Sequence, residues 1–284
     1  LLGVCSSVPN NSFFVALPAP PASSFKQKGG HCDESQIKVE PKIYVAFMVN
    51  EGDSLKIANG LMGDGAWLQP ERGTLPINWG IDPLLVRHFP ALMAYYYATM
   101  SEKDYFFAAT SGWGYAHPAY FPADALLPYA ELVNKGGGLA DVRFIDIWHV
   151  NALKKSNSFY PFLKATGMAG MTDWNSGEQS IEYTDFGMTI IKGNQYYTLG
   201  DPEKFAAMLV NDMEGVKPPW FIIVYGAHGH GTPYKFSEVA KRLPADRFKV
   251  VKLDEFFAAA NNAKPEMKGR VWRPGPNAPK GVAP

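Results

Sequence analysis

The chain has 284 residues carrying 27 basic and 27 acidic side chains, a formal charge of zero, which argues against a nucleic-acid partner because displacing phosphate counterions needs a basic surface. Trp, Tyr and Phe reach 14% against 19% for all charged residues, a balance suited to stacking on sugar rings or other flat, partly apolar ligands. No apolar run approaches the ~20 residues of a membrane helix, and the length suits one large α/β domain whose core needs no disulfides.

Leu1 is not Met and no basic segment precedes LLGVC, so the chain reads as a domain cut from a longer protein. Cys5 and Cys32 are the two thiols; their spacing fits either a bridge or two free thiols and matches no zinc motif. Residues 12–17 (SFFVAL) read as a strand, followed by a Pro/Ser/Gly-rich loop to about residue 40. Residues 43–49 form a second strand, apolar throughout and therefore buried on both faces, and lead to a short helix at 54–62. A third strand at 75–81 meets Asp82-Pro83, an N-cap and first-turn proline opening a long helix to about residue 100 that Pro90 should kink.

A central strand at 104–110 ends in the loop Ser111-Gly112-Trp113-Gly114-Tyr115-Ala116-His117-Pro118. The helix near 124–135 is expected to stop at Gly136-Gly137-Gly138. Strands follow at 142–148 and around 168–172, separated by a helix at 152–164. Residues 188–199 alternate about Gly193-Asn194 and read as a β-hairpin, the one antiparallel insertion. A helix from Asp201-Pro202 to Gly215, a strand at 220–225, a helix at 236–243, a strand at 248–253 and a helix at 254–262 complete the fold. Residues 1–263 thus read as one domain and 264–284 as a flexible tail. Eight core strands joined mostly by helices give a parallel α/β architecture, for which a barrel and an open sheet both fit, and ~250 residues suit a (β/α)8 barrel.

The segment GWGYAHP at 112–118 resembles the signature of the GxGYxYP family of putative glycoside hydrolases, in its C-terminal domain. YVAFMVNEGDS at 44–54 and LPINWGIDPLL at 75–85 are similar to two further blocks of that family. His117 stands where the family usually has a second Tyr, and Asn50-Glu51 where it usually has Ser-Asp. The resemblance covers roughly residues 10–260 and implies a TIM-like (β/α)8 barrel, distorted or incomplete, with carbohydrate as substrate.

In a parallel sheet, the loops after the strands share one face, where barrel chemistry occurs. That rule gathers Glu51, Asp53, Trp79, Trp113, Tyr115, His117, Trp148, His149, Asp173, Trp174, His228 and His230. A glycosidase needs two carboxyl groups flanking the scissile bond, and Asp53 and Asp173, with Glu51 as substitute, are the expected catalytic residues. Trp79, Trp113, Tyr115 and Trp148 are expected to form a stacking platform, and His117, His149, His228 and His230 to bind hydroxyls. His228-Gly229-His230 could also place two imidazoles on one ion, but the spacing is no recognised zinc motif, so no metal is assigned. Without a glycine-rich dinucleotide fingerprint or GxxxxGK[ST], no cofactor is expected. The alternatives are a metal-dependent sugar deacetylase and a non-catalytic glycan-binding module. Expected partners are an oligosaccharide or polysaccharide and an N-terminal domain of the same protein, with an extracellular or periplasmic location.

Overall fold

Residues 43–50 spell IYVAFMVN, seven apolar side chains in a row before Asn50. Such a run forms a strand only where both faces of the sheet are covered. In the computed structural model it is β1 (Ile43–Asn50), with residues 43–49 buried. The structure describes residues 11–50, 58, 65–109, 111–148, 150–154, 156–173, 179–193, 195–197, 200–227 and 232–272. Around β1 the chain builds α1 (Asn11–Ala16), β2 (Ile77–Ile81), α2 (Leu84–His88), α3 (Pro90–Thr99), β3 (Asp104–Ala108), α4 (Ala123–Leu139) and β4 (Phe144–Asp146). It continues with α5 (Val150–Lys154), α6 (Phe159–Ala165), β5 (Gly170–Asp173), β6 (Gln179–Tyr183), β7 (Thr189–Lys192), β8 (Gln195–Tyr197) and α7 (Pro202–Asp212). The last elements are β9 (Trp220–Ala227), α8 (Pro233–Ala240), β10 (Phe248–Val250), α9 (Leu253–Asn262), α10 (Lys264–Met267) and β11 (Val271–Trp272). No helix among the described residues is long and apolar enough to cross a membrane.

The strands form one sheet in the order β11-β6-β7-β5-β4-β3-β2-β1-β9-β8, with β10 also on β1. The β6–β7 and β6–β11 pairings are antiparallel and the others parallel. Tyr225 of β9 donates its O–H to Asp146 Oδ1 of β4 at 2.9 Å and lies 3.1 Å from Thr172 Oγ1 of β5. Laid flat, β9 and β4 would be four strand spacings apart, about 19 Å. The contact therefore requires a strongly curled sheet, and the chain is a mixed α/β structure built on a half-barrel.

Register fixes what faces the concave side. Tyr225 pairs with Met48, Met48 with Asn78 and Asn78 with Tyr105, so these side chains share a face with Thr172 and Asp146. At the start of the strands, α9 plugs this face, with Phe257 stacked 4.5 Å from Phe144 and Phe256 edge-on to Phe221. Asn78 ties the plug to the sheet, donating to the Phe47 carbonyl and accepting from the Leu253 N–H. Where β3 and β4 splay, the Gln27 amide takes the place of a strand, donating to the Phe106 carbonyl at 2.8 Å and accepting from its N–H at 3.0 Å.

Several expectations need correction. Residues 12–17 are largely helical, forming α1 with Phe13 and Val15 exposed; five apolar residues in a row without a fixed period do not separate one helical turn and a half from a strand. The expected helix to residue 100 breaks at Phe89, and α3 restarts with Pro90 at its first position, where a missing N–H costs nothing. The expected 152–164 helix is two helices, α5 and α6. The glycine run does not stop α4: a Cβ at Gly136 would lie 2.4 Å from Trp113 Cε3, so this glycine makes room for a ring within a continuing helix.

The antiparallel hairpin is β6–β7, not residues 188–199. After β7 the chain joins β8 to β9 in parallel, at the other end of the sheet. Lys192 ends β7 and Gln195 begins β8, so the edge strand β8 comes within about 11 Å of β7, the third strand from the opposite edge, the reach of three extended residues. Within the expected tail, Met267 is buried and Val271–Trp272 pairs with β6. The helix expected at 54–62 lies outside the described residues except for Ala58.

Candidate functional site

The loop after β3 is held in a backbone form that most residues resist. Ser111 has φ 69° and Gly112 φ 101°. A non-glycine residue there costs about 1–3 kcal/mol and persists only when its surroundings over-determine it. Three contacts do so: the Ser111 N–H donates to the Asp146 carbonyl at 2.9 Å, its carbonyl accepts from Tyr129 O–H at 2.8 Å, and its Oγ accepts from the Trp148 N–H at 3.3 Å. At Gly112 a Cβ would meet Ile145 Cδ1 and Val133 Cγ1, each at 2.8 Å. Gly114 is fixed by its N–H on Asp82 Oδ1 at 2.9 Å.

This bracing brings Tyr115, His117 and Trp148 together. Tyr115 stands edge-on to His117 with ring centroids 5.4 Å apart and edge-on to Trp148 at 6.5 Å; His117 lies 6.3 Å from Trp148. All three are half-buried and follow the C-terminal ends of β3 and β4. Tyr120, 6.2 Å from His117 and exposed, extends the cluster outward. Such a rim of partly exposed rings with polar edges suits a saccharide, whose faces are apolar and whose periphery is hydroxylated.

Asp146 supports the rim from below. It is fully buried, its Oδ2 accepts from Trp148 Nε1–H at 3.0 Å, and its Oδ1 accepts from Thr172 at 2.6 Å and Tyr225 at 2.9 Å. A buried carboxylate engaged by three donors fixes those donors in place. Reasoning from sequence missed Asp146, which sits within the FIDIW run. Its signal was a lone acid in an otherwise apolar strand.

Asp173 ends β5 and is fully buried, with Lys154 of α5 donating to its carboxylate. Thr172 faces the concave side, so by strand alternation Asp173 faces the convex side, away from Asp146. The expected platform residue Trp79 is displaced further. It is completely buried, gives its indole N–H to Asp104 Oδ1 at 2.8 Å and packs edge-on against Trp67; a ring in mid-strand lies under the convex-face helices rather than at the rim. Trp113 is half-buried against Gly136 of α4 and packs on the hydrophobic core, so its ring packs inward while Tyr115 and His117 stand at the rim. Glu51, Asp53, His149, Trp174, His228 and His230 lie outside the described residues, as does Cys5. Cys32 is a free thiol, pushed up to about 12 chiefly by burial.

Residues 41–261 match the family described as GxGYxYP putative glycoside hydrolase C-terminal domain. Among solved structures, a putative hydrolase from Bacteroides thetaiotaomicron is similar with a TM-score of 0.72 at 19% identity, covering 85% of this chain and 49% of that one. The chain thus spans about half the length of the Bacteroides protein. A putative polysaccharide deacetylase from Mycobacterium smegmatis is similar with a TM-score of 0.51 at 11% identity, covering 79% of this chain and 92% of that one. No curated protein matches the chain.

Proposed function

The chain belongs to the GxGYxYP putative glycoside hydrolase family, in its C-terminal domain, and on that footing we propose that it is a carbohydrate-active hydrolase domain of TIM-like (β/α)8 topology that cleaves a glycosidic bond. The observation that carries this reading is the rim of Tyr115, His117 and Trp148 above the buried carboxylate of Asp146. A sugar lies on the rings of Tyr115 and Trp148, and His117 takes a hydroxyl. Glycoside hydrolysis needs a proton donor and a second carboxylate as base or nucleophile. Glu51 and Asp53, which follow β1 directly, are the carboxyl groups we assign to those roles. Asp146 acts as a positioning residue beneath Trp148. Asp173, on the convex face and neutralised by Lys154, braces α5 against β5. A polysaccharide substrate fits an extracellular or periplasmic protein whose N-terminal part would lie beside this domain.

A second reading, a metal-dependent sugar deacetylase using Asp53, His228 and His230, is favoured by the fold shared with the Mycobacterium protein over 92% of that chain. Release of reducing ends and of acetate from a glycan panel, with and without exhaustive chelation, separates the two. The hydrolase reading expects reducing ends that survive chelation, a loss of ~10²-fold or more in Asp53→Asn or Glu51→Gln, and a raised KM in Trp148→Ala. Acetate release abolished by chelator transfers the assignment to the second reading. Folded protein that binds glycan and turns over none overturns both.

A further inference from the structure

At the end of the sheet, among the described residues, β6 and β11 pair through Ser180 with Val271 and Gln179 with Trp272. Beyond that register they part, because the chain entering β11 comes from α10. The wedge between them encloses about 410 Å³, enough for a monosaccharide unit.

Four cations line this wedge, Lys192, Lys264, Lys268 and Arg270, against the one carboxylate of Glu182, in a chain of zero formal charge. Glu182 is already engaged, accepting from Lys192 and from Tyr160 O–H at 2.7 Å. Arg270 is spent on the carbonyls of Pro219 and Lys217 and on the face of Trp220. Lys264 and Lys268 join no ion pair among the described residues. Lys264 holds its ammonium 5.2 Å from the centroid of Tyr183, a ring anchored by its O–H on the Ala260 carbonyl at 2.7 Å. One ammonium beside a fixed, half-buried aromatic ring and a second lysine lining the same wedge combine a demand for negative charge with a flat apolar surface.

We propose that this wedge is an accessory site for an acidic saccharide, with a uronate carboxylate or a sugar sulfate on Lys264 and Lys268 and the sugar ring against Tyr183. The proposal rests on the carbohydrate reading above and narrows it to glycans that carry anionic units. The site lies three strand positions from β4, the strand before Trp148, so a chain of several residues is needed to engage both.

Calorimetric titration of the whole chain tests it with four probes: an oligouronate, a neutral oligosaccharide of equal length, inorganic sulfate and an oligoglutamate. At low salt the oligouronate should bind at least about tenfold tighter than the neutral chain, an advantage that shrinks with salt. Lys264→Gln/Lys268→Gln should remove that advantage and leave neutral-glycan affinity unchanged, whereas Trp148→Ala should do the reverse. An advantage surviving in the double variant overturns the proposal. So does sulfate binding as tightly as oligouronate, which marks a bare anion site, or oligoglutamate binding more tightly, which marks a peptide site. Loss of neutral-glycan binding alone bears on the rim, so failure there is distinguishable from failure here.

Discussion

The Gly114 N–H donates to Asp82 Oδ1 at 2.9 Å, and the same oxygen accepts from the Leu84 N–H at 2.9 Å. One carboxylate oxygen thus starts α2 and pins the aromatic loop 32 residues away. Removing it in Asp82→Ala leaves two N–H groups without their acceptor, each costing about 1–3 kcal/mol. Asp82→Asn keeps an oxygen in place and should lose distinctly less. Denaturant unfolding of both variants measures the difference, and equal losses would show that the charge rather than the shared acceptor matters.

Gly136→Ala places a methyl carbon where Trp113 Cε3 stands, at 2.4 Å. Despite the helix preference for alanine, overpacking should destabilise by about 1–3 kcal/mol and shift the tryptophan emission as the ring is displaced. In a Trp113→Leu background the same change should cost less, and the double-mutant cycle reads that coupling. Additive losses would remove Trp113 as the reason for the glycine.

Lys154 and Asp173 form a pair in which the carboxylate is fully buried and the lysine side chain 22% exposed. Lys154→Met takes the cation away from the buried carboxylate and should cost about 3 kcal/mol, the low end for a broken buried pair because water still reaches the lysine. Replacing both by apolar residues of similar volume should cost less than Lys154→Met alone, as melting temperatures of the three variants would record.

His31 has its Nδ1 2.7 Å from Tyr105 O–H and its Nε2 3.3 Å from Asp141. Burial, the largest influence, and the Arg143 guanidinium hold its imidazole below the ordinary value, outweighing the upward pull of Asp141 and Asp254. The unfolded chain therefore takes up a proton first as pH falls. Stability is fully present above about 6.5 and declines as pH drops through the lowered folded value. Asp141 adds a second decline in the acid range: burial opposes it, but the Gln27 N–H, His31 and Lys26 together hold its carboxyl below normal. His31→Gln should flatten the stability profile between pH 6.5 and the acid range, and an unchanged slope would remove His31 as its source.

Much of the parallel core was legible from sequence because β1, β2, β3 and β9 are apolar runs between turn signals, and the rule that strand ends share a face found Tyr115, His117 and Trp148. Local pattern could not show the use of Gly136 as a seat for Trp113, since a glycine run signals a helix stop unless the ring above it is known. Nor could it separate Trp79 from Trp148: both lie near the end of an apolar run in the sequence, but Trp79 lies in mid-strand and Trp148 just beyond one. Asp146 and Asp173 show the same limit for carboxylates. Their opposite faces follow from the register of β4 on β5, a relation between strands that no single stretch contains. The step from β7 to β8 was misread as a hairpin because Gly-Asn is a local turn signal, whereas the strands it joins belong to opposite ends of the sheet.

The contact between Tyr225 and Asp146 also sets a limit on how a polymer can travel. One tyrosine and one aspartate laid end to end cross the hollow of the sheet, so the bore is filled by side chains and no sugar unit can thread it. On the proposed reading, a sugar resting on Tyr115 and Trp148 therefore lies over the mouth like a plank over a well and does not enter the bore.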